Sequence, residues 1–393
     1  MTHYLDNSAT TPLCDDAKAK MLHIMNEAFG NPSSLHSIGA QAQEELENAR
    51  KAVLTAFLPS GTRGKPEQII FTSGGTEANN LALIGTAQAK ARNAGKKIIV
   101  GEGEHSSVLS CAKRLEDLGF TVAYIPSPRG VWDMETYRRE LTKDTILVSA
   151  MLVNNETGAA NDIASLVSAA KEINPDIVFH CDAVQGFMRS SQKEFSRADL
   201  VSVSAHKIGG PKGAGALFVS EEMLKKRTLS PIIFGGGQER GLRSGTENVI
   251  GICGFGAAVG YYLKNGSEIR ARLDELYKYA IDILTPLSDI GIKLNIPKAA
   301  QTAHHIISVT AAGVKSETML HFLSSRNVFV SSGSACSSNT HAKSSALKSF
   351  GLSDEDADST VRFSFGVQTT RDDIDAAAEA LCDGMKTLSR KRK

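Results

Sequence analysis

The chain has 393 residues, and its 44 Lys and Arg against 43 Asp and Glu give a formal net charge of +1. A chain so close to neutral has no overall attraction for nucleic acid or for a membrane surface, and we expect neither as a direct partner. A single hydrophobic core stops growing near ~250–300 residues, so the length favours more than one domain.

No apolar run behind a basic patch opens the sequence, which argues against a secretory signal. The longest uncharged apolar stretch, residues 249–263, is shorter than the ~20 residues of a membrane helix and is better interpreted as a buried helix. The scattered cysteines form no CxxC pair, so we expect neither a metal site nor disulfides, but reduced thiols in the cytoplasm. The six cysteines are Cys14, Cys111, Cys181, Cys253, Cys336 and Cys382.

From about residue 68 to residue 220, short β-rich runs alternate with amphipathic helical patterns. Strands are predicted at 68–72, 97–100, 121–125, 145–152, 176–181, 200–204 and 215–220. Helices are predicted at 76–92, 106–118 and 162–173, the last with Asp162 as its N-cap. Several strands are apolar without alternation, as strands covered on both faces are. The pattern therefore predicts an α/β fold with a mostly parallel central sheet and helices on both faces.

After about residue 260 the pattern changes. A long helix is predicted at 267–287, strands at 306–310, 328–331 and 361–365, and a final helix at 372–389. We therefore predict a large α/β domain at residues 15–260. A smaller α+β domain would be formed by residues 1–14 and 261–393.

Three polar segments stand where predicted strands end. Residues 72–77 (TSGGTE) join a strand to a helix, and such a turn presents backbone N–H groups that can cradle a phosphate. Asp182 closes one apolar strand, and Lys207 follows another in a glycine-rich turn. Taken singly, each has an ordinary structural explanation, such as a turn without a ligand or a surface lysine. Together, an Asp for a pyridinium nitrogen, a Lys for an aldehyde and a phosphate turn are what pyridoxal phosphate requires.

A set of short motifs runs along the whole chain. They are YLDNSATTP at 4–12, NPSSLH at 31–36, SGGTE at 73–77, EH at 104–105, NNETG at 154–158, DAVQ at 182–185, HK at 206–207, RSGT at 243–246, SSGSACSS at 331–338 and VRFSFG at 361–366. On these motifs the sequence resembles the cysteine desulfurases of the NifS/IscS type, within the class V aminotransferase family of pyridoxal-phosphate enzymes. The resemblance implies a fold-type-I transferase with pyridoxal 5'-phosphate as cofactor.

The resemblance also implies a role for each matched residue around the cofactor. Lys207 would hold it as a Schiff base and move the proton of the substrate Cα, and Asp182 would keep the pyridine nitrogen protonated. His105 would stack on the ring and assist proton transfer, and Gln185 would bond the phenolic oxygen. The phosphate would be held by Gly75, Thr76, Ser204 and His206.

The resemblance further implies residues for the substrate and for a second subunit. Asn155 and Arg362 would orient the carboxylate of L-cysteine, for which the planar guanidinium of arginine is suited. Thr246 would reach the phosphate of the neighbouring active site, so a homodimer is expected. A core histidine for His105 and a surface ion pair for Arg362 are the ordinary alternatives.

Cys336 differs from the other cysteines in its surroundings. Residues 332–339 are small or polar, whereas a structural cysteine usually lies among large apolar neighbours. We therefore expect it on a mobile loop, at about 332–345, where its thiolate can take the sulfur from bound cysteine as a persulfide and leave alanine. The remaining five cysteines are expected to be packing residues.

The resemblance leaves the sulfur acceptor open. The sequence stops at Lys393, without the partner-binding tail of some members that supply an iron–sulfur scaffold, so thiolation of tRNA or another acceptor is an alternative to such a scaffold. Three alternative functions also remain. A selenocysteine lyase would share every cofactor residue, another pyridoxal-phosphate transferase or lyase would leave Cys336 without a role, and a ligand-binding regulator would need neither Lys207 nor Cys336.

Overall fold

The computed structural model describes residues 1–58, 62–90, 95–297, 302–332 and 344–389, without the side chain of Gln192. Within these residues a seven-stranded central sheet has the order β2-β8-β7-β6-β5-β3-β4. Its strands are β2 (Ile69–Thr72), β3 (Lys97–Gly101), β4 (Thr121–Ile125), β5 (Thr145–Met151), β6 (Val178–Asp182), β7 (Leu200–Ser204) and β8 (Gly215–Val219). All seven predicted strands are present, with ends that differ by one or two residues.

The sheet is mostly parallel, as predicted. Neighbouring strands from β4 through β7 are parallel, whereas β8 is antiparallel to both β7 and β2. Only residues 205–214 join β7 to β8, and such a short connection cannot make the crossover of a dozen or more residues that parallel strands need. Because β2 and β7 are each antiparallel to β8, they run in the same direction.

Helices cover both faces of this sheet and enclose two hydrophobic cores. They are α3 (Gly75–Lys90), α4 (Ser106–Asp117), α5 (Met134–Glu140), α6 (Ile163–Ile173) and α7 (Glu221–Lys226). The predicted N-cap of α6 is confirmed, because the Asp162 carboxylate accepts a hydrogen bond from the Ser165 N–H at 3.0 Å. Such a cap satisfies a helix N–H group that has no partner within the helix.

One helix, α8 (Val249–Leu284), includes both the apolar stretch at 249–263 and most of the predicted helix at 267–287. Two amino-terminal helices that the sequence did not predict, α1 (Asp15–Glu27) and α2 (Ser37–Thr55), pack against it. A Cβ on Gly256 of α8 would lie 2.8 Å from the Ala49 Cα, so glycine allows α2 and α8 to approach closely. The predicted domain boundary at residue 260 falls inside α8, and the division into two domains stays a prediction.

The remaining residues form a smaller α+β unit. A four-stranded antiparallel sheet contains β9 (Ile292–Leu294), β10 (Ile306–Ala311), β12 (Ser331–Ser332) and β13 (Thr360–Ser364), while β1 (His3–Tyr4) pairs with β11 (Val328–Phe329). The helices are α9 (Ser316–Ser325), α10 (Ser345–Phe350), α11 (Asp354–Asp358) and α12 (Arg371–Leu388). The single strand predicted at 328–331 is thus two short strands with different partners.

The amino terminus contacts this unit. Besides the β1–β11 pairing, His3 forms a 2.9 Å ion pair with Asp373 at the start of α12. No helix in the described parts of the chain has the length and apolar character needed to cross a membrane.

Candidate active site

Several of the predicted site residues lie along one edge of the central sheet. Strands β2, β3, β5, β6 and β7 all point their carboxyl ends to this edge because they run in the same direction. Asp182 ends β6, and Ser204 ends β7 just before Lys207. Ligands of open α/β sheets bind at this kind of edge.

The Asp182 carboxylate is buried and held in a fixed orientation. Its Oδ2 accepts a hydrogen bond from Asn79 Nδ2 at 2.7 Å, and its Oδ1 accepts one from the Val184 N–H at 3.0 Å. Burial raises the pKa of Glu104 well above its usual value, and the nearby charge of Asp182 raises it further.

Lys207 lies in a short 3-10 turn, Ala205–Lys207, and reaches toward the amino-terminal segment of the chain. Its Nζ donates to the backbone carbonyls of Ser8 at 2.6 Å and Ala9 at 2.8 Å. The sequence identified residues 4–12 only as a motif of the resemblance, and these two carbonyl partners were missed. They place the amine at the same strand edge as Asp182.

The turn at the start of α3 fits a phosphate group. Gly75 opens the helix, and a Cβ built on it would lie 2.6 Å from Val184 Cγ2 and 3.7 Å from the Cβ of Ser204. A Cβ on Gly74, whose φ is +156°, would lie 3.8 Å from the Ser204 hydroxyl. The predicted phosphate residues Gly75 and Ser204 are therefore neighbours at a helix N-terminus, where anions bind favourably. Thr76 follows Gly75 with an exposed side chain.

His206, also predicted to hold the phosphate, is half-buried, and its Nδ1 lies 3.1 Å from the Thr10 hydroxyl. Burial, together with the positive charges of Lys207, Lys212 and Arg189, lowers the pKa of His206 to about 4. At neutral pH it is therefore an uncharged hydrogen-bonding group, and it offers a phosphate no full positive charge.

His105 caps the N-terminus of α4 and is linked to Asp182 through two polar side chains. Its Nδ1 accepts a hydrogen bond from the Ser107 N–H at 3.2 Å, so in the neutral ring the proton is on Nε2. The Ser107 hydroxyl in turn accepts from Asn79 Nδ2 at 2.8 Å, and Asn79 also donates to Asp182. Asn79 was not among the predicted residues, although it lies one helical turn after Gly75, on the first turns of α3.

Gln185 joins the site through hydrogen bonds at both ends of its amide. Its Nε2 donates to the Ser8 carbonyl at 2.9 Å, the same oxygen that Lys207 contacts, and its Oε1 accepts from Arg189 Nη1 at 3.3 Å. Arg189 Nη2 donates to the Lys207 carbonyl. Arg189 is buried, and the sequence did not identify it.

Asn155 and Arg362 are brought together, as predicted. Arg362 of β13 is buried, and its Nη1 donates to the Asn155 backbone carbonyl at 2.8 Å. Its Nη2 pairs with Asp6 Oδ1 at 2.9 Å, and its Nε has no hydrogen-bond partner among the described residues. The guanidinium thus faces the site with one carboxylate already bound and a donor left over.

Glu156, inside the NNETG motif, is a titratable group that was not among the predicted site residues. Ser344, at the N-cap of α10, donates its hydroxyl to Glu156 Oε2 at 2.6 Å. Burial raises the pKa of Glu156 to about 7, although this hydrogen bond and the positive charges of Arg362 and His105 act in the opposite direction. A carboxyl that titrates near neutral pH therefore lies beside the residues predicted to bind substrate.

Thr246 and Cys336 are the two predicted residues that the described part of the chain does not place in this cluster. Thr246 is exposed on the segment before α8, which the Arg243–Glu77 ion pair (2.9 Å) connects to the first turn of α3. Cys336, and most of the loop predicted at about 332–345, lie outside the described residues. The described chain on either side lies near the substrate residues: Ser331 pairs with Arg362 across β12 and β13, and Ser344 bonds Glu156.

The other cysteines have the packing surroundings expected of them. Cys111, Cys181 and Cys253 are buried, whereas Cys14 and Cys382 are half-buried. Burial raises the pKa of the Cys111 and Cys253 thiols to about 12, so neither forms a thiolate at neutral pH. A nucleophilic cysteine needs a thiolate.

Known proteins resemble the chain over nearly its whole length. The aminotransferase class-V family matches residues 3–377. The chain is 40% identical over 393 residues to a cysteine desulfurase IscS of Dictyoglomus turgidum, covering 98% of this chain and 96% of that protein. A solved NifS-like protein superimposes with a TM-score of 0.87 at 31% identity, covering 99% of this chain and 100% of the other. The structure of SspA in complex with cysteine has a TM-score of 0.77 at 30% identity, with 93% and 99% covered.

Proposed function

Because the chain belongs to the aminotransferase class-V family, we propose that the strand edge carrying Asp182 and Lys207 is the active site at which L-cysteine becomes L-alanine. The chain is a cysteine desulfurase of the IscS and NifS type. The observation that carries this conclusion is the 40% identity to a cysteine desulfurase over 98% of the chain. The fold adds that the two residues which define the chemistry lie at the same sheet edge.

Members of this family are pyridoxal-phosphate enzymes, and the residues present fit that cofactor. The Asp182 carboxylate would bind the protonated ring nitrogen, since two hydrogen bonds already hold it in a fixed orientation. The N-terminus of α3 with Ser204 would bind the phosphate, and Gln185 the phenolic oxygen. Bound pyridoxal phosphate supplies a sink for the electron pair left on the substrate Cα.

The chain's own residues would bind the substrate and move its protons. Arg362 would bind the substrate carboxylate with the N–H groups that Asp6 and the Asn155 carbonyl leave over, since arginine suits carboxylates. The Lys207 amine would take the Cα proton, because it is the base at the strand edge. His105, with its proton on Nε2, would stack on the ring and return a proton to carbon.

Cys336 would accept the sulfur. Its thiolate would attack the sulfur of the substrate, so that an S–S bond forms as the Cβ–S bond breaks. The electron pair stays with the carbon fragment, which is protonated to alanine, and the enzyme keeps a Cys336 persulfide. A thiol in this role must be kept reduced, as thiols are in the cytoplasm, and we place the enzyme there.

A homodimer would bring Thr246 to the neighbouring site. The segment that carries Thr246 also exposes Phe234 at 79%, and the region around α1 exposes Phe29 at 65% and Leu35 at 104%. Large exposed apolar side chains of this kind are candidates for a protein interface. The proposed persulfide would then pass to a protein acceptor, for which an iron–sulfur scaffold is our first choice.

Two substitutions test the proposed reaction. With Cys336→Ala the enzyme should bind cofactor and cysteine but form no persulfide, measured by mass spectrometry of the Cys336 peptide. Cys382→Ala is the matched control, because it removes a half-buried thiol in α12 and should leave turnover unchanged. With Lys207→Ala the visible absorption of the covalently bound cofactor should disappear.

Near-normal alanine production by the Cys336→Ala enzyme would refute sulfur transfer through that residue. Parallel assays with cysteine and selenocysteine would distinguish a desulfurase from a selenocysteine lyase. Incubating the labelled persulfide with an iron–sulfur scaffold and with a tRNA-thiolation enzyme would identify the acceptor, and labelling of the tRNA enzyme alone would overturn our first choice.

A further inference from the structure

Arg189 lies directly beneath the proposed cofactor site and contacts two of its residues. The guanidinium is buried, with the residue 7% exposed, and donates to Gln185 Oε1 at 3.3 Å and to the Lys207 carbonyl. The Tyr262 side chain of α8 also lies near the guanidinium. Arg189 therefore connects the turn after β6 to the turn after β7.

A second connection closes a ring through the same two residues. The Ser8 carbonyl accepts from both Gln185 Nε2 at 2.9 Å and Lys207 Nζ at 2.6 Å. Gln185 and Lys207 are thus joined on one side by a backbone oxygen and on the other by Arg189. Removing Arg189 would break one of these two connections.

The two partners of Gln185 require the same orientation of its amide. A guanidinium only donates hydrogen bonds, so it must face Oε1, and a carbonyl only accepts, so it must face Nε2. In this orientation Nε2 keeps a second N–H group, which can donate a further hydrogen bond. A phenolic oxygen that carries negative charge is stabilised by such a donor and would be repelled by an amide oxygen in the flipped orientation.

The charge of Arg189 is not paired with a carboxylate of the described residues. Within the described residues no carboxylate forms a salt bridge with it, and burial lowers the pKa of its guanidinium. A buried charge without a charged partner normally destabilises a protein. The titratable groups that face it are Tyr262, His206 and His305, and its positive charge contributes to lowering the pKa of both histidines.

We propose that Arg189 is a positioning residue, which holds the Gln185 amide as a donor toward the phenolic oxygen of pyridoxal phosphate and holds the backbone from which Lys207 reaches the cofactor. This inference rests on the proposed function, because it takes pyridoxal phosphate as the ligand of the site. Arg189 itself would touch neither cofactor nor substrate.

The test compares Arg189→Met with Arg189→Lys in the full-length enzyme. For each variant, the dissociation constant of pyridoxal phosphate and the pH titration of the bound cofactor's visible absorption are measured. Arg189→Met should weaken cofactor binding about tenfold, the equivalent of one hydrogen bond, and shift the titration to higher pH by about one unit. Arg189→Lys keeps the charge but reaches fewer acceptors, so it should shift the titration less while still weakening binding.

Lys171→Met is a matched control for the loss of a partly buried cation. Lys171 also donates to backbone carbonyls, with 2.6 Å to Ile177, and pairs with Asp199, but at the opposite edge of the sheet. It should lower thermal stability without changing either cofactor measurement. In a Gln185→Ala background, Arg189→Met should weaken binding by clearly less than tenfold, because the main partner is already gone.

The possible failures are distinguishable. If the unsubstituted protein does not bind pyridoxal phosphate, the proposed function itself is wrong. If it binds normally and Arg189→Met behaves like Lys171→Met in both cofactor measurements, the positioning role of Arg189 is wrong. If Arg189→Met does not fold, the same comparison is made with Arg189→Lys, and unchanged binding in that variant would also overturn the inference.

Discussion

Replacing Glu156 by Gln should change how the stability of the protein depends on pH. Burial raises the pKa of Glu156 to about 7, against a usual 4.5. In the unfolded chain this carboxyl loses its proton near the usual value, so between these two pH values only the folded protein keeps the proton. The stabilising contribution is therefore complete below about pH 4.5 and is lost as the pH rises through 7.

The size of the effect follows from the pKa difference. At about 1.4 kcal/mol per pKa unit, raising the pKa from 4.5 to about 7 corresponds to about 3 kcal/mol in total, and to about 2–3 kcal/mol between pH 5 and pH 8. Glutamine is neutral throughout and can still bond the Ser344 hydroxyl. The free energy of unfolding of Glu156→Gln, relative to the unsubstituted protein, should therefore increase by that amount over this range.

Urea unfolding at pH 5, 6, 7 and 8 measures this difference, at one protein concentration and one cofactor saturation. Glu77→Gln is the control, because the pKa of Glu77 is shifted in the opposite direction to that of Glu156. Burial opposes its ionisation, but hydrogen bonds from Arg243 and Ser73 outweigh burial and lower the pKa of Glu77. Its stabilising contribution is present above the unfolded pKa and lost only in acid, so its difference should be flat from pH 5 to pH 8. An equally flat difference for Glu156→Gln would refute the reasoning.

Three further substitutions test a close contact beside the site, a buried ion pair and the proposed dimer interface. Gly75→Ala would place a Cβ 2.6 Å from Val184 Cγ2, so it should lower stability by about 1–3 kcal/mol, and adding Val184→Ala should restore most of the loss in thermal unfolding. Arg50→Met would leave the buried Glu239 carboxylate without its bidentate partner (2.7 and 2.8 Å), which should lower stability by about 3–5 kcal/mol in urea unfolding. Combining it with Glu239→Gln should lower stability by less than the sum of the two single changes. Phe234→Ser should weaken the proposed homodimer about tenfold or more in analytical ultracentrifugation, and an unchanged dimer would place the interface elsewhere.

Much of the scaffold could be predicted because strand patterns are local. Continuous apolar runs identified the strands of the central sheet, and their alternation with helices predicted a mostly parallel arrangement. Parallel strands end at one edge, so the positions of Asp182, Ser204 and Lys207 just after or at strand ends were enough to predict that they lie together. The antiparallel β8 was missed although the short connection at residues 205–214 already required it, whereas the continuous α8 was missed because it depends on packing against α1 and α2.

The partners of the site residues could not be predicted in this way. Lys207 bonds carbonyls at residues 8 and 9, which are 199 and 198 positions away in the sequence, and Arg362 pairs with Asp6. Backbone carbonyls carry no sequence signal, so a resemblance in the amino-terminal motif could mark its importance but not its contacts.

The sequence by itself therefore determined that Asp182, Lys207 and a glycine-rich turn follow strand ends of an α/β sheet and so meet at one edge. Only the tertiary structure decided which way the Gln185 amide points and at what pH Glu156 and His206 titrate. The physical reason is that strand patterns and turns are encoded by neighbouring residues. Hydrogen-bond direction and pKa depend instead on burial and on charges that distant segments bring together.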